Sequence, residues 1–230
     1  MRRKTCYGKL LNAALSVFSS KGYTSSSVSD IIEKASVARG TFYLYFNSKR
    51  NAFEQVLDHV IGEIESCVPP SDPDVPFPDY HSVYQRMFSS YASFLDVFHR
   101  NRQFADIVFT EAIGLDKGFD RQIQKHYNTH RKRIRRFLRR VQNSGLARRF
   151  DVNVVIETII GYTQRCAQVF LGRNGRCISV EKLARDLADI EFSIVCNAPL
   201  STVRGGKKRV QEKNVAVPAM VRLNRRKRNA

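Results

Sequence analysis

Residues 38–49 read ARGTFYLYFNSK, and this stretch decides the fold. Four aromatic rings occupy the five positions from Phe42 to Phe46, after a Gly-Thr pair and before a lysine. On a helix, Phe42 and Phe46 lie four residues apart and share one face, so both rings are expected to enter a core. Tyr43 and Tyr45 lie off that face. The pattern predicts a short helix, about two turns long, that is held by two buried rings and leaves two phenol hydroxyls for a partner.

Helical spacing continues on both sides of this stretch. Apolar residues recur at helical positions over 8–21, and Gly22 follows where a C-cap is expected. Ser27 is a natural N-cap for the short segment VSDIIEKA, and Ser48 for a longer helix over 49–66. The first 66 residues therefore form four helices, of which the middle two are short and joined by a tight turn. This arrangement is typical of a helix-turn-helix, whose second short helix lies in the major groove of DNA.

The remainder of the chain is predicted to be helical as well. Residues 69–78 hold five of the seven prolines and indicate a stiff linker. Beyond it, apolar residues repeat at intervals of three and four, and the alternation of a β-strand is missing. The fold class is therefore all-α. The predicted later helices cover 80–99, 103–114, 117–143, 152–171 and 180–196.

The net charge of +18 points to an anionic partner, namely nucleic acid, an anionic membrane surface or an anionic small molecule. Half of this excess lies in residues 201–230, which hold ten basic residues and one acid. This tail lacks periodicity, so we expect it to be mobile and to add non-specific DNA affinity that falls with salt. The segment 130–150 is also rich in arginine. A solvated face is the usual meaning of such a segment, and an anionic inducer or extra DNA contact is the alternative.

Other functions receive little support from the sequence. The five cysteines are scattered without a CxxC spacing, which predicts reduced thiols. His126 and His130 lie four apart, but no third metal ligand accompanies them. We find no nucleophile elbow, P-loop or carboxylate pair, so neither enzyme activity nor a cofactor is expected. The sequence shows no export signal and no membrane span, which predicts a cytoplasmic, nucleoid-associated protein without a membrane partner.

The stretch Arg39–Lys49 is aligned with the order small residue, Gly, Thr, apolar, Tyr, any residue, Tyr or His, Phe, two residues, Lys, with Arg39 at the first position. The segment VSDIIEKASVA precedes it. On these motifs, residues 8–66 resemble the TetR family of bacterial transcriptional regulators. Beyond residue 66 the similarity extends only to the number and length of the helices.

The helix-turn-helix reading assigns DNA-contact roles within this segment. Arg39 is the candidate for bidentate reading of a guanine, and Thr41 for a phosphate or a thymine methyl. The hydroxyls of Tyr43 and Tyr45 would donate to phosphates, and Lys49 would add charge there. The full predicted set is Ser27, Ser29, Ala38, Arg39, Gly40, Thr41, Tyr43, Tyr45 and Lys49.

The resemblance also implies a C-terminal bundle that binds an effector and forms a homodimer. An apolar pocket with a few hydroxyls is expected among the later helices. The predicted pocket residues are Tyr84, Phe88, Tyr91, Phe109, Tyr127 and Tyr162. The predicted dimer interface, on the helices over 152–171 and 180–196, comprises Ile156, Ile160, Gly161, Leu183, Leu187, Ile190 and Ile194.

The predicted function is a repressor that a small-molecule effector releases from a palindromic operator of double-stranded DNA. One alternative is a DNA-binding adaptor of the same fold whose C-terminal domain binds a protein, and another is a sequence-tolerant nucleoid or RNA-binding protein. The predicted architecture is a helix-turn-helix domain over 1–48, a connecting helix over 49–66, a linker over 67–79, an effector and dimerisation domain over 80–198, and a basic tail over 199–230.

Overall fold

The computed structural model describes residues 2–67, 71–108, 117–171 and 178–204, excluding the side chains of residues 2–4 and 106. Throughout these ranges the regular structure is helical, which confirms the all-α prediction. The helices, in chain order, are α1 (Arg2–Lys21), α2 (Val28–Ala35), α3 (Arg39–Tyr43), α4 (Lys49–Ser66), α5 (Tyr80–Arg100), α6 (Arg102–Ile107), α7 (Lys117–Asn143), α8 (Val152–Leu171), α9 (Val180–Val195) and α10 (Ser201–Arg204).

The N-terminal helices close around a core of aromatic rings. Phe18, Phe42, Phe46 and Phe53 are all fully buried. Phe18 and Phe53 meet edge to face, with 5.1 Å between their ring centroids. Since buried aromatic rings contribute large apolar areas, these four side chains fix how α1, α3 and α4 pack together.

The turn between α2 and α3 follows from local hydrogen bonding. Ser27 caps α2, because its hydroxyl accepts the backbone N–H of Asp30 while the Asp30 side chain accepts the backbone N–H of Ser27. At the other end Ser36 adopts a left-handed conformation with φ of 50°, which ends α2. The chain then enters α3 after two residues, so α2 and α3 form the tight pair that the sequence predicts.

The N-terminal core continues into the C-terminal half of the chain. Phe104 and Ile107 of α6, together with Phe119 and Ile123 of α7, belong to the same cluster of buried side chains as Phe53. The predicted linker at 67–79 therefore does not separate two independent cores. The start of α7 packs as part of the helix-turn-helix domain, because its apolar face continues the aromatic cluster on α4.

A second core lies among α5, α7, α8 and α9. In this bundle α5 packs most extensively against α9. Ile156, Leu183 and Leu187 are buried within it. This corrects their assignment to the dimer interface, because these side chains are buried in the core of the subunit itself.

The elements differ from the predicted ones in length. The helix α3 ends at Tyr43, and a turn in which the backbone N–H of Phe46 donates to the Phe42 carbonyl continues its path. The first part of the predicted helix over 103–114 is observed as α6 (Arg102–Ile107), and residues 109–114 lie outside the described residues. Phe109 and the tail from residue 205 lie outside the described residues.

Candidate functional site

The helix α3 is held in place by its two phenylalanines. Phe42 and Phe46 lie with their ring centroids 5.3 Å apart, and both rings are fully buried. The ring of Tyr7 on α1 lies 6.0 Å from that of Phe46. As predicted from their spacing, these rings face inward and leave the opposite face of α3 toward solvent.

The outward face of α3 carries a cation beside exposed apolar surface. Arg39 is exposed and lies over the Tyr43 ring, with 5.9 Å from its guanidinium carbon to the ring centroid. Tyr43 is 47% exposed and Leu44 is 76% exposed. An arginine that stacks on an aromatic ring is partly pre-oriented, which reduces the entropy lost when its five N–H donors meet a base or a phosphate.

Small side chains surround this face. Ala38 and Gly40 are exposed, Thr41 is half-buried, and Ser29 on α2 is exposed. A methyl group built on Gly40 would have no heavy atom within 4 Å beyond its immediate chain neighbours and its own helix backbone. Packing inside the described chain therefore does not require a glycine here, and the open space is available to a molecule outside it.

Ser27 is committed to the α2 cap. Its hydroxyl donates to a carboxylate oxygen of Asp30 at 2.8 Å, and Lys21 bonds the other carboxylate oxygen at 2.6 Å. The hydrogen bonds from Lys21 and Ser27 lower the pKa of Asp30 to about 2. The ordered cap fixes the N-terminus of α2, where the backbone N–H groups of an HTH helix can meet a phosphate.

Lys49 turns inward. Its Nζ donates to the backbone carbonyls of Tyr23 at 2.9 Å, Thr24 at 3.3 Å and Ser26 at 2.9 Å. The same ammonium lies 4.6 Å from the centroid of the Tyr23 ring. All three donors are used within the chain, which corrects the expectation that this charge faces a phosphate. Lys49 instead ties the start of α4 to the loop between α1 and α2.

Tyr45 is only half exposed. Its ring lies 6.0 Å from that of Tyr7, whose hydroxyl donates to Gln55 on α4 at 2.9 Å. The Gln55 side chain in turn donates to the Tyr45 carbonyl at 3.5 Å. Of the two tyrosines predicted to contact phosphates, Tyr43 is therefore the more accessible.

A cavity of about 200 Å³ lies between the two cores. It is bounded by α4 on one side and by α5 to α9 on the others, and its lining is mostly apolar. Tyr91 and Tyr127, two of the predicted pocket residues, line this cavity. Tyr84, Phe88 and Tyr162 do not belong to the described lining, since Tyr84 donates to Asp189 on α9 at 2.9 Å and Phe88 packs beneath Arg185.

The α4 side of the cavity contributes five residues of the helix that leads out of the N-terminal core. Leu57, Val60, Ile61, Ile64 and Glu65 line it. Farther toward the N-terminus, Phe53 on the same helix belongs to the core that holds α3. A molecule in the cavity would therefore contact the element that positions the helix-turn-helix.

Polar bonds hold α4 against α7 next to the cavity. His126 on α7 lies 2.9 Å from a carboxylate oxygen of Asp58 and 3.1 Å from one of Glu65. Gln122 donates to the same oxygen of Asp58 at 2.9 Å, and Arg133 donates to the Glu65 carbonyl. These bonds connect a wall of the cavity to the helix that reaches the N-terminal core.

The arginine-rich segment has two kinds of residue. Arg131 bonds Glu157 on α8 at 2.6 Å, Arg135 bonds Asn153 at 2.8 Å, and Arg140 lies 3.9 Å over the Phe77 ring. Such residues brace α7 against its neighbours. Lys132, Arg136, Arg139 and Arg149 are exposed and form the solvated part of the segment.

The outer surface of α8 and α9 carries apolar residues. Gly161 and Ile190 are exposed, and Ile160 and Ile194 are half-buried. Val154 and Val169 on α8 add exposed apolar area that the sequence analysis did not select. These six residues remain available for a subunit contact.

Among the described residues, no group of three or more His, Cys, Asp or Glu side chains is arranged to hold a metal ion. In the same part of the chain, every helix is too short or too polar to cross a membrane.

Comparison with protein families decides what the N-terminal geometry represents. Residues 10–56 match the family of bacterial regulatory proteins named tetR. This match contains α2, α3 and the residues that pin them. Residues 10–56 thus form a TetR-type helix-turn-helix segment. The buried pair Phe42 and Phe46 and the exposed face of α3 are thus features of a TetR-type helix-turn-helix.

Curated relatives are similar to this chain over its N-terminal part. An uncharacterized HTH-type transcriptional regulator of Bacillus subtilis, YvdT, is 46% identical over 63 residues, which are 26% of this chain and 32% of that protein. The fatty acid metabolism regulator protein of the same species is 34% identical over 62 residues, 27% of this chain and 32% of that protein. The chain spans about a third of the length of these relatives.

Solved TetR structures share the fold over most of the chain. A bacterial regulatory protein in the tetR family from Rhodococcus RHA1 is 16% identical, with a TM-score of 0.66, and the match covers 84% of this chain and 98% of that one. The regulator FadR from Bacillus subtilis, solved in complex with stearoyl-CoA, is 17% identical with a TM-score of 0.67, covering 81% and 98%. At these identities the likeness concerns the fold alone.

Leu44 is the residue on the TetR-type reading face that the sequence analysis missed. Its exposure follows from the register of α3, because Phe42 and Phe46 face inward and Leu44 lies between them. Leu44 adjoins the exposed Tyr43 ring, and neighbouring exposed apolar side chains of this kind mark an interaction surface. The available clue was therefore the same spacing that identified the two buried rings.

Proposed function

We propose that this TetR-family chain is a homodimeric transcriptional regulator that binds a palindromic operator and releases it when a small molecule enters the cavity. The observation that carries this proposal is the outward face of α3, where Arg39, Tyr43 and Leu44 are exposed while two fully buried phenylalanines fix the helix. In a helix-turn-helix this is the element that enters the major groove.

The exposed residues of α3 have complementary roles in DNA recognition. The Arg39 guanidinium can donate two hydrogen bonds to one guanine, which favours that base by about 1–3 kcal/mol over others. The Tyr43 hydroxyl can donate to a phosphate and fix the register of the helix. Leu44 offers apolar contact to a thymine methyl group. Gly40 leaves room for a close approach of the DNA backbone.

Two subunits are needed to read a palindrome. The outer surface of α8 and α9, with Val154, Gly161 and Ile190 exposed, offers apolar area for a subunit contact. A two-fold dimer would present its two α3 helices to half-sites about 34–36 Å apart on one face of the duplex. A regulator that binds an operator in this way would be located in the cytoplasm and associated with the nucleoid.

The cavity supports regulation by a small molecule. One neighbour of the same fold was solved in complex with stearoyl-CoA, so a helical bundle of this kind can hold a ligand. In this chain α4 forms one wall of the cavity and also packs against the core that holds α3. A ligand that prefers one position of α4 would change the spacing of the two α3 helices, and it can weaken DNA binding only by the amount of that preference. In its simplest form the DNA-bound dimer represses by blocking the operator, and release by the ligand ends the repression.

The test is selection of binding sites from random duplex DNA by the full chain, followed by quantitative gel shift at a stated salt concentration. The expected result is a palindromic consensus bound by two chains per duplex. A selected pool without a consensus would overturn the proposal, and so would binding to RNA and DNA alike. Release is then tested by adding small molecules to the complex formed on the selected duplex.

A further inference from the structure

The cavity between the cores has an uneven distribution of polar groups. Apolar side chains from all the surrounding helices form most of its surface. The polar groups of interest come from α5, α7, α8 and α9, and they are Tyr91, His130, Thr163 and Glu191. A ligand site commonly uses such a small set of polar groups to orient an otherwise apolar molecule.

Glu191 is a carboxyl group buried at this cavity, and no counter-ion for it lies among the described residues. It is 5% exposed, although it belongs to the lining. The titratable groups that act on it are Tyr91, Tyr162 and Cys196, all of which are neutral acids near pH 7. Within the described ranges of the chain, Glu191 forms no ion pair with a lysine, arginine or histidine. An unpaired buried carboxylate is unfavourable, so this group is ready to accept a cation.

The Tyr91 hydroxyl connects Glu191 to α8. It hydrogen-bonds the Glu191 carboxyl, and its oxygen lies 2.6 Å from the hydroxyl oxygen of Tyr162. This chain of hydroxyls orients the carboxyl group. Burial raises the pKa of Glu191 to about 7, and the bond from Tyr91 opposes part of that rise. Glu191 therefore gains or loses a proton easily at neutral pH.

Two further polar atoms of the lining have no hydrogen-bond partner among the described residues. They are Thr163 Oγ1, on a side chain that is 9% exposed, and His130 Nδ1. Burial lowers the pKa of His130, so its ring is neutral at pH 7 and can accept a hydrogen bond through one nitrogen. Unpaired buried polar atoms are costly, and a ligand with N–H donors would satisfy them.

The other charged groups of the lining have identified environments. Glu65 is bonded to His126 and lies 3.9 Å from Arg133. Arg86 also lines the cavity, and burial followed by the nearby Arg140 lowers its pKa. Neither Glu65 nor Arg86 is among the groups that act on Glu191. Glu191 is therefore the carboxyl of this cavity whose charge is left for a ligand to balance.

We infer that the effector is a lipophilic amine, whose protonated amino group pairs with Glu191 while its apolar body fills the cavity against α4. This inference rests on the proposed function, because it names the ligand class of the same regulated cavity. The amine would also donate to Thr163 Oγ1 or His130 Nδ1. A carboxylate of the same shape would meet Glu191 as a like charge, and an alcohol would gain only a neutral hydrogen bond.

Binding of the amine has a defined proton balance. Below neutral pH Glu191 holds a proton, and pairing with an ammonium group requires that proton to leave for the solvent. The affinity for an amine should therefore rise as the pH goes from 6 to 8. Proton release also makes the heat of binding depend on the ionisation enthalpy of the buffer. An alcohol should show neither effect.

The test compares three probes of matched shape by isothermal titration calorimetry on the full chain, namely 4-phenylbutylamine, 4-phenylbutan-1-ol and 4-phenylbutanoate. At pH 7.5 the amine is expected to bind at least about tenfold more tightly than the alcohol, and the carboxylate most weakly, in line with the strength of a charge-assisted bond. Glu191→Gln should reduce amine affinity about tenfold or more and leave alcohol affinity within a factor of about three. The exposed Glu181 on the same helix supplies the control variant, Glu181→Gln, which should leave all three affinities unchanged.

Several outcomes would overturn the inference. These are equal or tighter binding of the carboxylate, an amine affinity that does not rise with pH, and an equal effect of Glu191→Gln on amine and alcohol. If Glu191→Gln does not fold, the ranking of probes and the pH series on the native chain still decide. The selected duplex separates this inference from the proposed function. Release of DNA by the carboxylate and not by the amine would contradict only the inferred ligand class. Tight amine binding without any release of DNA would contradict the proposed effector mechanism, while the inferred ligand class would still hold.

Discussion

The ring of Phe53 on α4 meets the ring of Phe119 on α7 edge to face, with 5.3 Å between the centroids. Phe119 also lies 5.6 Å from Tyr23, in the loop that follows α1. The first turn of α7 is thus part of the core that holds the helix-turn-helix. The same helix contributes Tyr127 and Ile134 to the cavity wall. The cavity and the helix-turn-helix are therefore connected by α7 as well as by α4.

Replacing Phe119 with alanine tests this connection. The ring is fully buried, so Phe119→Ala should lower the free energy of unfolding by about 3–5 kcal/mol. Urea denaturation monitored by circular dichroism measures this free energy of unfolding. Phe88→Ala serves as the control, because Phe88 is only half-buried and should cost clearly less. A loss at Phe119 no larger than that at Phe88 would show that α7 does not belong to the N-terminal core.

Lys49 is expected to stabilise the fold without contacting DNA. Lys49→Met keeps most of the apolar stem but removes the ammonium hydrogen bonds to three carbonyls, of which that of Tyr23 keeps the Ser26 hydroxyl as a donor, so stability should fall by about 1–3 kcal/mol. The slope of log affinity against log salt should stay the same at a temperature where the variant is folded. A direct phosphate contact would instead reduce that slope by about 0.9.

Gly40 separates stability from DNA binding. The methyl group of Gly40→Ala meets no heavy atom within 4 Å among the described residues outside its chain neighbours and its own helix backbone, and alanine favours a helix over glycine by about 1 kcal/mol. The variant should therefore melt at the same or a higher temperature than the native protein. DNA affinity should nevertheless fall about tenfold, because the added methyl group stands where the DNA backbone approaches. Unchanged affinity would mean that the backbone stays distant from Gly40.

The buried Glu191 should make stability depend on pH. Its pKa rises on folding from the ordinary 4.5 to about 7, because burial disfavours the charged form. The folded chain thus binds more protons than the unfolded chain in this interval, and Glu191 lowers the free energy of unfolding as the pH rises from about 4.5 to 7. Relative to the native chain, Glu191→Gln should gain up to about 3 kcal/mol between pH 4.5 and pH 8. Denaturation curves at both pH values give this difference, and a constant difference would contradict the pKa direction.

Local patterns predicted most of the fold. The spacing of Phe42 and Phe46, the Ser27 cap and the long apolar repeats depend on neighbours within a few residues, and the structure has each of them. The inward turn of Lys49 could not be predicted in this way. It depends on carbonyls more than 20 residues earlier, which only the folded loop after α1 brings within reach.

The sequence also could not predict which face of a helix points into the core when the helix is apolar on several sides. Helix α8 has apolar residues on several sides, so its sequence does not say which side meets α9 and which meets another subunit. Ile156 faces the core, whereas Val154 and Gly161 face outward. The sequence of α8 likewise does not say whether Tyr162 faces the cavity. Tyr91 lines the cavity, whereas Tyr162, whose hydroxyl bonds that of Tyr91, does not.

Selection of binding sites with the native chain and with Arg39→Ala is the sharpest test of whether α3 reads DNA bases through Arg39. The account predicts a palindromic consensus for the native chain and a changed base preference at one symmetric position for Arg39→Ala. Tyr43→Phe, by contrast, should lower the affinity for all sites alike and keep the consensus, because a phosphate contact carries no base information. If Arg39→Ala selected the same consensus as the native chain with the same preference at every position, the assignment of α3 as a reading helix through Arg39 would be wrong.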